Sequence, residues 1–168
     1  MPHVTGVIGV SSPEFSRYAQ FYSMLGRVEK PPHTALAHVS GSNIAENRNA
    51  ITEQALTEGA EWIWYVDDDH VFATGTLTQL LSHRVDIVSG LYLQRGNPFN
   101  PHIYDRERAN GSVYLRYLTT AEKGLVPVLA TGAGCLLVRT KVLKAMDPPY
   151  WRLGQISPGA WGDDLDFC

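Results

Sequence analysis

The sequence contains no cluster of lysines and arginines, and its net charge at pH 7 is -3. A nucleic-acid surface needs a basic stripe to neutralise phosphates, so a nucleic-acid partner is not expected. The sequence also has no apolar run close to the roughly 20 residues that span a bilayer. Its first residues, Met-Pro-His-Val-Thr-Gly, lack the basic segment of a secretory signal. We therefore expect a soluble, cytoplasmic protein without a membrane span.

Cysteine is almost absent from the chain. Cys135 lies within an apolar run and Cys168 is the last residue. Two cysteines so placed form neither a disulfide framework nor a zinc-binding spacing, and we expect Cys135 to be a core residue and not a catalytic thiol. The 168 residues fit one domain, 1–168, with a single core.

What the sequence does contain is an apolar, aromatic run that stops at three aspartates. Residues 62–66 predict a buried strand, and Asp67, Asp68, Asp69 and His70 follow it. Because side chains alternate along an extended chain, we expect Asp67 and Asp69 to converge and Asp68 to face the other way. The same alternation predicts that His70 turns away from Asp67 and Asp69.

Two carboxylates held close together repel each other, and a divalent cation is the simplest way to relieve that repulsion. Mg²⁺ or Mn²⁺ takes one or two protein carboxylates and keeps its other positions for water and substrate phosphate. The predicted ligand is therefore a diphosphate held through a metal ion. The alternative is a solvated acidic turn that closes a core strand.

The chain before this run predicts a strand and two helices. Residues 4–10 predict a strand, and Ser12, Pro13 and Glu14 predict the start of a helix. The turn between these elements, Ser11 and Ser12, then lies at the carboxyl end of a strand, where open α/β sheets bind ligands.

A second helix is predicted from a cap at Ser42 to about Thr57. Arg48 falls on its inner stripe, between Ile44 and Ile51, so its guanidinium should face the sheet. Such an arginine either pairs with a strand-end aspartate or contacts a phosphate or nucleotide.

The second half of the chain predicts more strands and two possible ligand-binding features. Residues 113–118 are expected to pair with residues 126–130, and a glycine-rich loop at 132–134 precedes a buried strand at 135–138. Glycines there permit close approach of a ligand or simply a tight bend. A second acidic cluster, which includes Asp163 and Asp164, ends the sequence.

The order of these features resembles the nucleotide-sugar glycosyltransferases of the GT-A fold, most of all their family-two type. Asp67 and Asp69 match the Asp-x-Asp motif of that fold, and Gly162-Asp163-Asp164 matches its later Gly-Glu-Asp motif. The resemblance covers nearly the whole chain. It implies a Rossmann-like α/β fold with a mixed, mostly parallel sheet flanked by helices.

The resemblance also implies the cofactor and donor. Asp67 and Asp69 would hold Mn²⁺ or Mg²⁺ against the diphosphate of a UDP- or GDP-sugar. Asp68 would belong to the same nucleotide-binding turn, and Ser11, Ser12 and Arg48 match positions that the family uses near the nucleotide.

The implied reaction is transfer of the sugar to an acceptor hydroxyl with inversion. Asp164, or its neighbour Asp163, would be the general base that takes the hydroxyl proton. The Gln-x-x-Arg-Trp motif of processive synthases is missing, which favours single transfers. Because the family normally continues with a helix and often a histidine ligand, the resemblance implies a carboxyl-terminal truncation.

Two other readings of the same residues stay open. Haloacid-dehalogenase-type phosphatases also place Asp-x-Asp after an apolar strand, and Asp67, Asp69, Ser89, Lys141 and Asp163 can be assigned to their roles. A non-catalytic module that binds a nucleotide or a carbohydrate through a metal is the third reading.

Overall fold

The architecture is that of an α/β protein built on a five-stranded mixed sheet. The structure is a computed structural model, and it describes residues 3–12, 19–41, 43–93, 99–107, 113–115, 124–157, 160–163 and 167. The elements follow in the order β1 Gly6–Ser12, α1 Ala19–Leu25, β2 Thr34–Ser40, α2 Ile44–Thr57, β3 Trp62–Asp67, α3 Thr76–Ser82, β4 Ile87–Ser89, β5 Ile103–Glu107, β6 Val113–Leu115, β7 Ala130–Thr131, β8 Cys135–Arg139, α4 Thr140–Lys144, β9 Gly154–Ser157 and β10 Ala160–Gly162.

The main sheet has the strand order β2-β1-β3-β8-β4. β1 pairs in parallel with both β2 and β3, whereas β8 is antiparallel to β3 and to β4. Four strands therefore run in one direction and β8 alone runs in the other. The sequence-based prediction of a mixed, mostly parallel sheet flanked by helices is confirmed at this level.

Alternation along β3 divides the core between the two faces of the sheet. Ile63 and Tyr65 pack in the cluster that includes Ile51 and Ala55 of α2. Trp62, Trp64 and Val66 pack on the other face, against side chains from α1 and α3. Asp67 has the same parity as Ile63 and Tyr65, so the strand directs it towards α2.

Helix α2 is the element that meets this end of β3, and its first turn differs from the prediction. Asn43, not Ser42, is the cap, and its side-chain oxygen accepts hydrogen bonds from the backbone N–H groups of Ala45 and Glu46. Ile44, expected on the inner stripe, is exposed, whereas Ile51 and Arg48 are buried as predicted.

The pairing expected in the second half of the chain is wrong. β6 pairs with β5, and β5 also pairs with β7, so β5 is the central strand of a small second sheet. Residues 126–129 are not part of a named strand. Within the described residues, no helix is both long enough and apolar enough to cross a bilayer.

Cys135 begins β8 and is a core residue, as the sequence predicts. Cys135 is 2% exposed, and burial raises the pKa of its thiol to about 11. Because the thiolate is the reactive form, only about one thousandth of the thiol is reactive at pH 8. In a Cys168→Ser variant we expect no alkylation of the folded protein by iodoacetamide at pH 8, and rapid alkylation in guanidinium chloride. Equal rates in both conditions would contradict the burial of this thiol.

Candidate active site

The candidate site lies where the carboxyl ends of β1 and β3 meet. From β1 the chain proceeds to β2 on one side, and from β3 it proceeds towards β4 on the other, with α2 leading back from β2 to β3. This arrangement is a topological switch point, the position at which open α/β sheets form a ligand crevice. Ser11 and Asp67 are register partners across it.

A tight turn at the end of β3 brings three metal-ligating side chains together. The His70 N–H donates to the Asp67 carbonyl at 3.4 Å, which folds residues 67–70 back on themselves. One ligand atom from each of Asp67, Asp69 and His70 lies within 4.8 Å of the others. The convergence of the two aspartates is as predicted, but the prediction that His70 turns away is wrong, because strand alternation ends at Asp67.

Asp68 does not belong to this group of ligand atoms. Its residue is only 3% exposed, and its Oδ2 atom has no hydrogen-bond partner among the described residues. The prediction that Asp68 faces away from Asp67 and Asp69 agrees with the burial of its side chain. Its assignment to cofactor binding stays a prediction from the resemblance.

Aromatic contacts fix the orientation of the His70 ring. Phe72 lies parallel to it, with centroids 5.8 Å apart and an interplanar angle of 4°, and Tyr92 meets it edge-on at 4.7 Å. Burial lowers the pKa of His70, opposed in part by the negative charge of Asp67. The neutral imidazole, which is the metal-binding form, is therefore favoured near neutral pH.

The glycine-rich loop packs directly against the turn. The Asp67 N–H donates to the Gly134 carbonyl at 3.2 Å, and the Gly134 N–H donates to the Tyr92 hydroxyl at 3.1 Å. A Cβ atom on Gly134 would lie 2.8 Å from His70 Cε1 and 3.1 Å from Asp67 Oδ2. Gly134 therefore permits the loop and the turn to lie side by side.

Arg48 joins the turn to the carboxyl-terminal acidic segment. Its Nη2 donates to Asp67 Oδ1 at 2.9 Å, and its Nη1 donates to Asp163 Oδ2 at 2.6 Å. The side chains of Arg48 and Asp163 are 3% and 6% exposed, whereas that of Asp67 is 26% exposed. Of the two predicted roles for Arg48, the structure shows pairing with a strand-end aspartate; direct contact with a nucleotide stays a prediction.

Asn49, on α2, binds the chain at Trp151, before the carboxyl-terminal acidic segment. The Asn49 side chain donates to the Trp151 carbonyl at 2.7 Å and accepts from its N–H at 3.0 Å. The Trp151 ring lies 5.2 Å from the Arg48 guanidinium carbon and stacks on Phe167 at 4.2 Å. These contacts explain how a segment remote in sequence reaches the end of β3.

Asp163 and Asp164 were the two candidates for the general base. In the structure, the Asp163 carboxylate is buried and paired with Arg48, so it lacks the access to an acceptor hydroxyl that a base requires. Asp164 lies outside the described residues. Of the two, the pairing of Asp163 therefore favours Asp164.

Ser11 and Ser12 are the last two residues of β1 and not a turn after it. The predicted helix start at residues 12–14 depends on residues 13 and 14, which lie outside the described residues. Ser11 and Ser12 are both buried at the carboxyl end of the strand. The Asn47 side chain donates to Ser11 Oγ at 3.3 Å, and Ser12 Oγ lies 3.0 Å from His38 Nε2. Contact between these serines and a nucleotide stays a prediction.

Sequence reasoning misses Asn47, His38 and Tyr92, which contact Ser11, Ser12 and Gly134, and it considers His70 only as a residue that turns away. Asn47 precedes Arg48 on α2, and its own signal, a polar residue on the buried side of a helix, was present in the helical spacing. His38 and Tyr92 carry no local signal, because strand pairing and a distant loop bring them to the site.

Of the residues that a phosphatase would use, Asp67, Asp69 and Asp163 lie at the same end of β3, whereas Lys141 does not join them. Lys141 follows β8 and pairs with Asp86 at 2.7 Å. Arg139, two residues earlier, is the register partner of Trp62, the first residue of β3. Lys141 therefore lies near the amino-terminal end of β3, opposite to the end that bears Asp67 and Asp69. Ser89 does reach the site edge, but its hydroxyl donates to the Gly90 and Cys135 carbonyls.

Comparison with known proteins adds evidence on the fold. No protein-family model matches the sequence. No curated protein sequence matches it either. Among solved structures, the chain is similar to the crystal structure of A197 from STIV, with 15% sequence identity and a TM-score of 0.66, over 98% of this chain and 76% of that chain. At this level of identity the likeness shows a common fold and carries no information on activity.

Proposed function

We propose that the chain is a metal-dependent glycosyltransferase of the GT-A type. It would transfer a sugar from a nucleoside-diphosphate sugar, UDP- or GDP-linked, to an acceptor hydroxyl with inversion. The observation that carries the proposal is the group of Asp67, Asp69 and His70 donor atoms at the switch point of the sheet. A divalent cation that is bound by few carboxylates has coordination positions left, and a diphosphate can fill them.

The fold supports the proposal without requiring it. A mixed sheet with one reversed strand agrees with the architecture that the GT-A resemblance implies. The resemblance also implies a glycine-rich loop near the acceptor, and Gly134 contacts the turn after β3. A later acidic motif is implied as well, and Arg48 ties Asp163 to the same end of β3.

Each residue would have a distinct part in the reaction. Asp67, Asp69 and His70 would hold the cation, whose chemistry when bound is to stabilise negative charge on the departing diphosphate. Arg48 would keep Asp67 oriented and Asp163 neutralised. Asp164 would take the proton of the acceptor hydroxyl as its oxygen forms a bond to the anomeric carbon and the bond to the diphosphate oxygen breaks.

Thermal denaturation tests the donor half of this proposal. UDP, GDP, CMP, dTDP and inorganic phosphate are each added with Mn²⁺, with Mg²⁺ or without metal. A ligand at about 100 times its Kd stabilises the folded state by about 2.7 kcal/mol, which raises the Tm visibly. We expect a rise that needs both a metal ion and one nucleoside diphosphate.

The outcomes separate the three readings of the sequence. Nucleotide binding followed by metal-dependent release of the nucleoside diphosphate from its sugar supports the transferase. Binding without release from any UDP- or GDP-sugar, with simple sugars supplied as acceptors, points to the non-catalytic module. Stabilisation by phosphate alone, without preference for a nucleotide, overturns the proposal in favour of a phosphatase.

A further inference from the structure

A groove lies between helix α1 and residues 71–74, the segment that follows the acidic turn. Its volume is about 500 Å³, within the range of about 300–1,000 Å³ that is usual for small-molecule sites. Helix α1 and the turn after it contribute Gln20, Ser23, Met24 and Arg27 to one wall. Of the described residues that line the groove, none is a candidate metal ligand. The groove is therefore a site separate from the candidate metal centre.

Hydrogen bonds and ring contacts fix the two walls of the groove. The Glu29 N–H donates to the Thr74 carbonyl at 2.9 Å, which ties the chain after α1 to the opposite wall. Phe72 packs against Trp64, with ring centroids 5.4 Å apart, and against His70 at 5.8 Å. A site whose walls are fixed before binding loses little conformational entropy when a ligand enters. The groove therefore meets this condition for binding.

Much of the groove is apolar. Met24 forms part of the α1 wall, and Val71, Phe72 and Ala73 form most of the opposite wall. Val71 is 66% exposed, and Phe72 beside it is only partly buried. Covering this surface with an apolar group would remove it from water, which favours binding.

The charge of the groove comes from one side chain. Among the described residues that line it, Arg27 alone is ionisable. Its Nε and Nη2 atoms donate to the Ser23 carbonyl and hydroxyl at 3.1 and 3.2 Å. No carboxylate in the described part of the chain pairs with Arg27, and its Nη1 atom has no hydrogen-bond partner there. A guanidinium binds anionic oxygens through its paired N–H groups, so the group that complements this wall is an anion.

We propose that the groove binds a small ligand that has an apolar body and one anionic group, with the anion held by Arg27. Phe72 lies between the groove and His70, so the ligand lies next to the acidic turn without contacting the candidate metal ligands. This site goes beyond the proposed transferase function and does not depend on it.

A pair of fluorescent probes tests the class of ligand. Anilinonaphthalene sulfonate has an aromatic body and one anionic group, and phenylnaphthylamine is its neutral counterpart. Each should bind the folded protein at one saturable site. Arg27→Gln should weaken binding of the sulfonate by about tenfold or more, because a charge-assisted hydrogen bond is lost, and change that of the neutral probe by about twofold or less. Arg152→Gln is the matched control, since Arg152 is exposed and follows Trp151, which packs on the other face of the sheet. It should change neither affinity.

Nuclear magnetic resonance of ¹³C-methyl methionine locates the bound sulfonate. The chain has three methionines, of which Met24 lines the groove and Met146 packs on the other face of the sheet. The ring current of the naphthalene should shift the Met24 methyl signal, identified with Met24→Leu, and leave the Met146 signal in place. Asp69→Asn should show the same shift, so the site and the transferase proposal can fail separately.

Three results would overturn the proposal. The first is the absence of saturable binding of either probe to the folded parent. The second is sulfonate binding that Arg27→Gln does not weaken, which would exclude the anionic class of ligand. The third is a Met24 signal that does not shift at saturation, or that shifts together with the Met146 signal, because either would exclude the groove as the specific site.

Discussion

Replacing Arg48 with methionine is expected to lower the free energy of unfolding by about 3–5 kcal/mol. The reason is that Arg48 neutralises two carboxylates, and the one on Asp163 is buried with it. Methionine keeps much of the apolar stem, so the loss reports mainly the uncompensated charge. Urea denaturation at neutral pH measures the effect. A loss below about 1 kcal/mol would show that water or another cation reaches Asp163.

Two further variants separate charge from packing. Arg48→Met combined with Asp163→Asn should recover part of the lost stability, because the second change removes the buried charge that the first leaves unpaired. Arg27→Met, at an exposed position where the guanidinium bonds only to Ser23 in the described structure, should change stability by about 0.5 kcal/mol or less. If the double variant is no more stable than Arg48→Met, packing is the main contribution.

Replacing Asp69 with asparagine is expected to abolish metal-dependent nucleotide binding. Asp67 already shares its charge with Arg48, so Asp69 contributes much of the negative charge that attracts a dication to the turn. The nucleotide-dependent stabilisation, about 2.7 kcal/mol at 100 times the Kd in the parent, and the rise in Tm that it causes should disappear. Nucleotide binding equal to that of the parent would show that the metal site is wrongly assigned.

The transferase proposal predicts a different result for Asp164→Asn. This variant should keep metal and nucleotide binding and lose transfer, since the resemblance assigns Asp164 to the acceptor hydroxyl. Asp86→Asn is the matched control for the loss of one carboxylate, because Asp86 is exposed and pairs with Lys141 away from the turn. It should leave both binding and transfer intact. Normal transfer by Asp164→Asn would require a different base.

The parts of the site that depend on local periodicity could be predicted from the sequence. Helical spacing placed Arg48 on the buried face of α2, and a run of apolar residues placed Asp67 at the end of a core strand. Both inferences use only the pattern of apolar side chains within a single helix or strand. They hold because the core excludes water on both faces of β3.

The parts that depend on turns and on long-range pairing could not be predicted. Strand alternation was extended to His70, whereas a turn begins at Asp67 and reverses the direction of the ring. Neighbouring segments were paired in sequence order, whereas β5 takes the central position between β6 and β7. Asp163 meets Arg48 through packing of Trp151 on α2, and no local pattern records that contact.

The reversed strand β8 affects how the segment between β4 and β8 can change in length and sequence during evolution. Because β8 begins beside the end of β4, the Gly90 N–H donates to the Cys135 carbonyl at 2.9 Å. Residues 91–134 thus form a connecting segment that is flanked by two hydrogen-bonded residues. The entropy of closing such a segment depends only weakly on its length. Its central part can therefore lengthen, shorten or be exchanged while the core strands keep their register. Under the proposed transferase function, such changes would alter the acceptor specificity without disturbing the sheet.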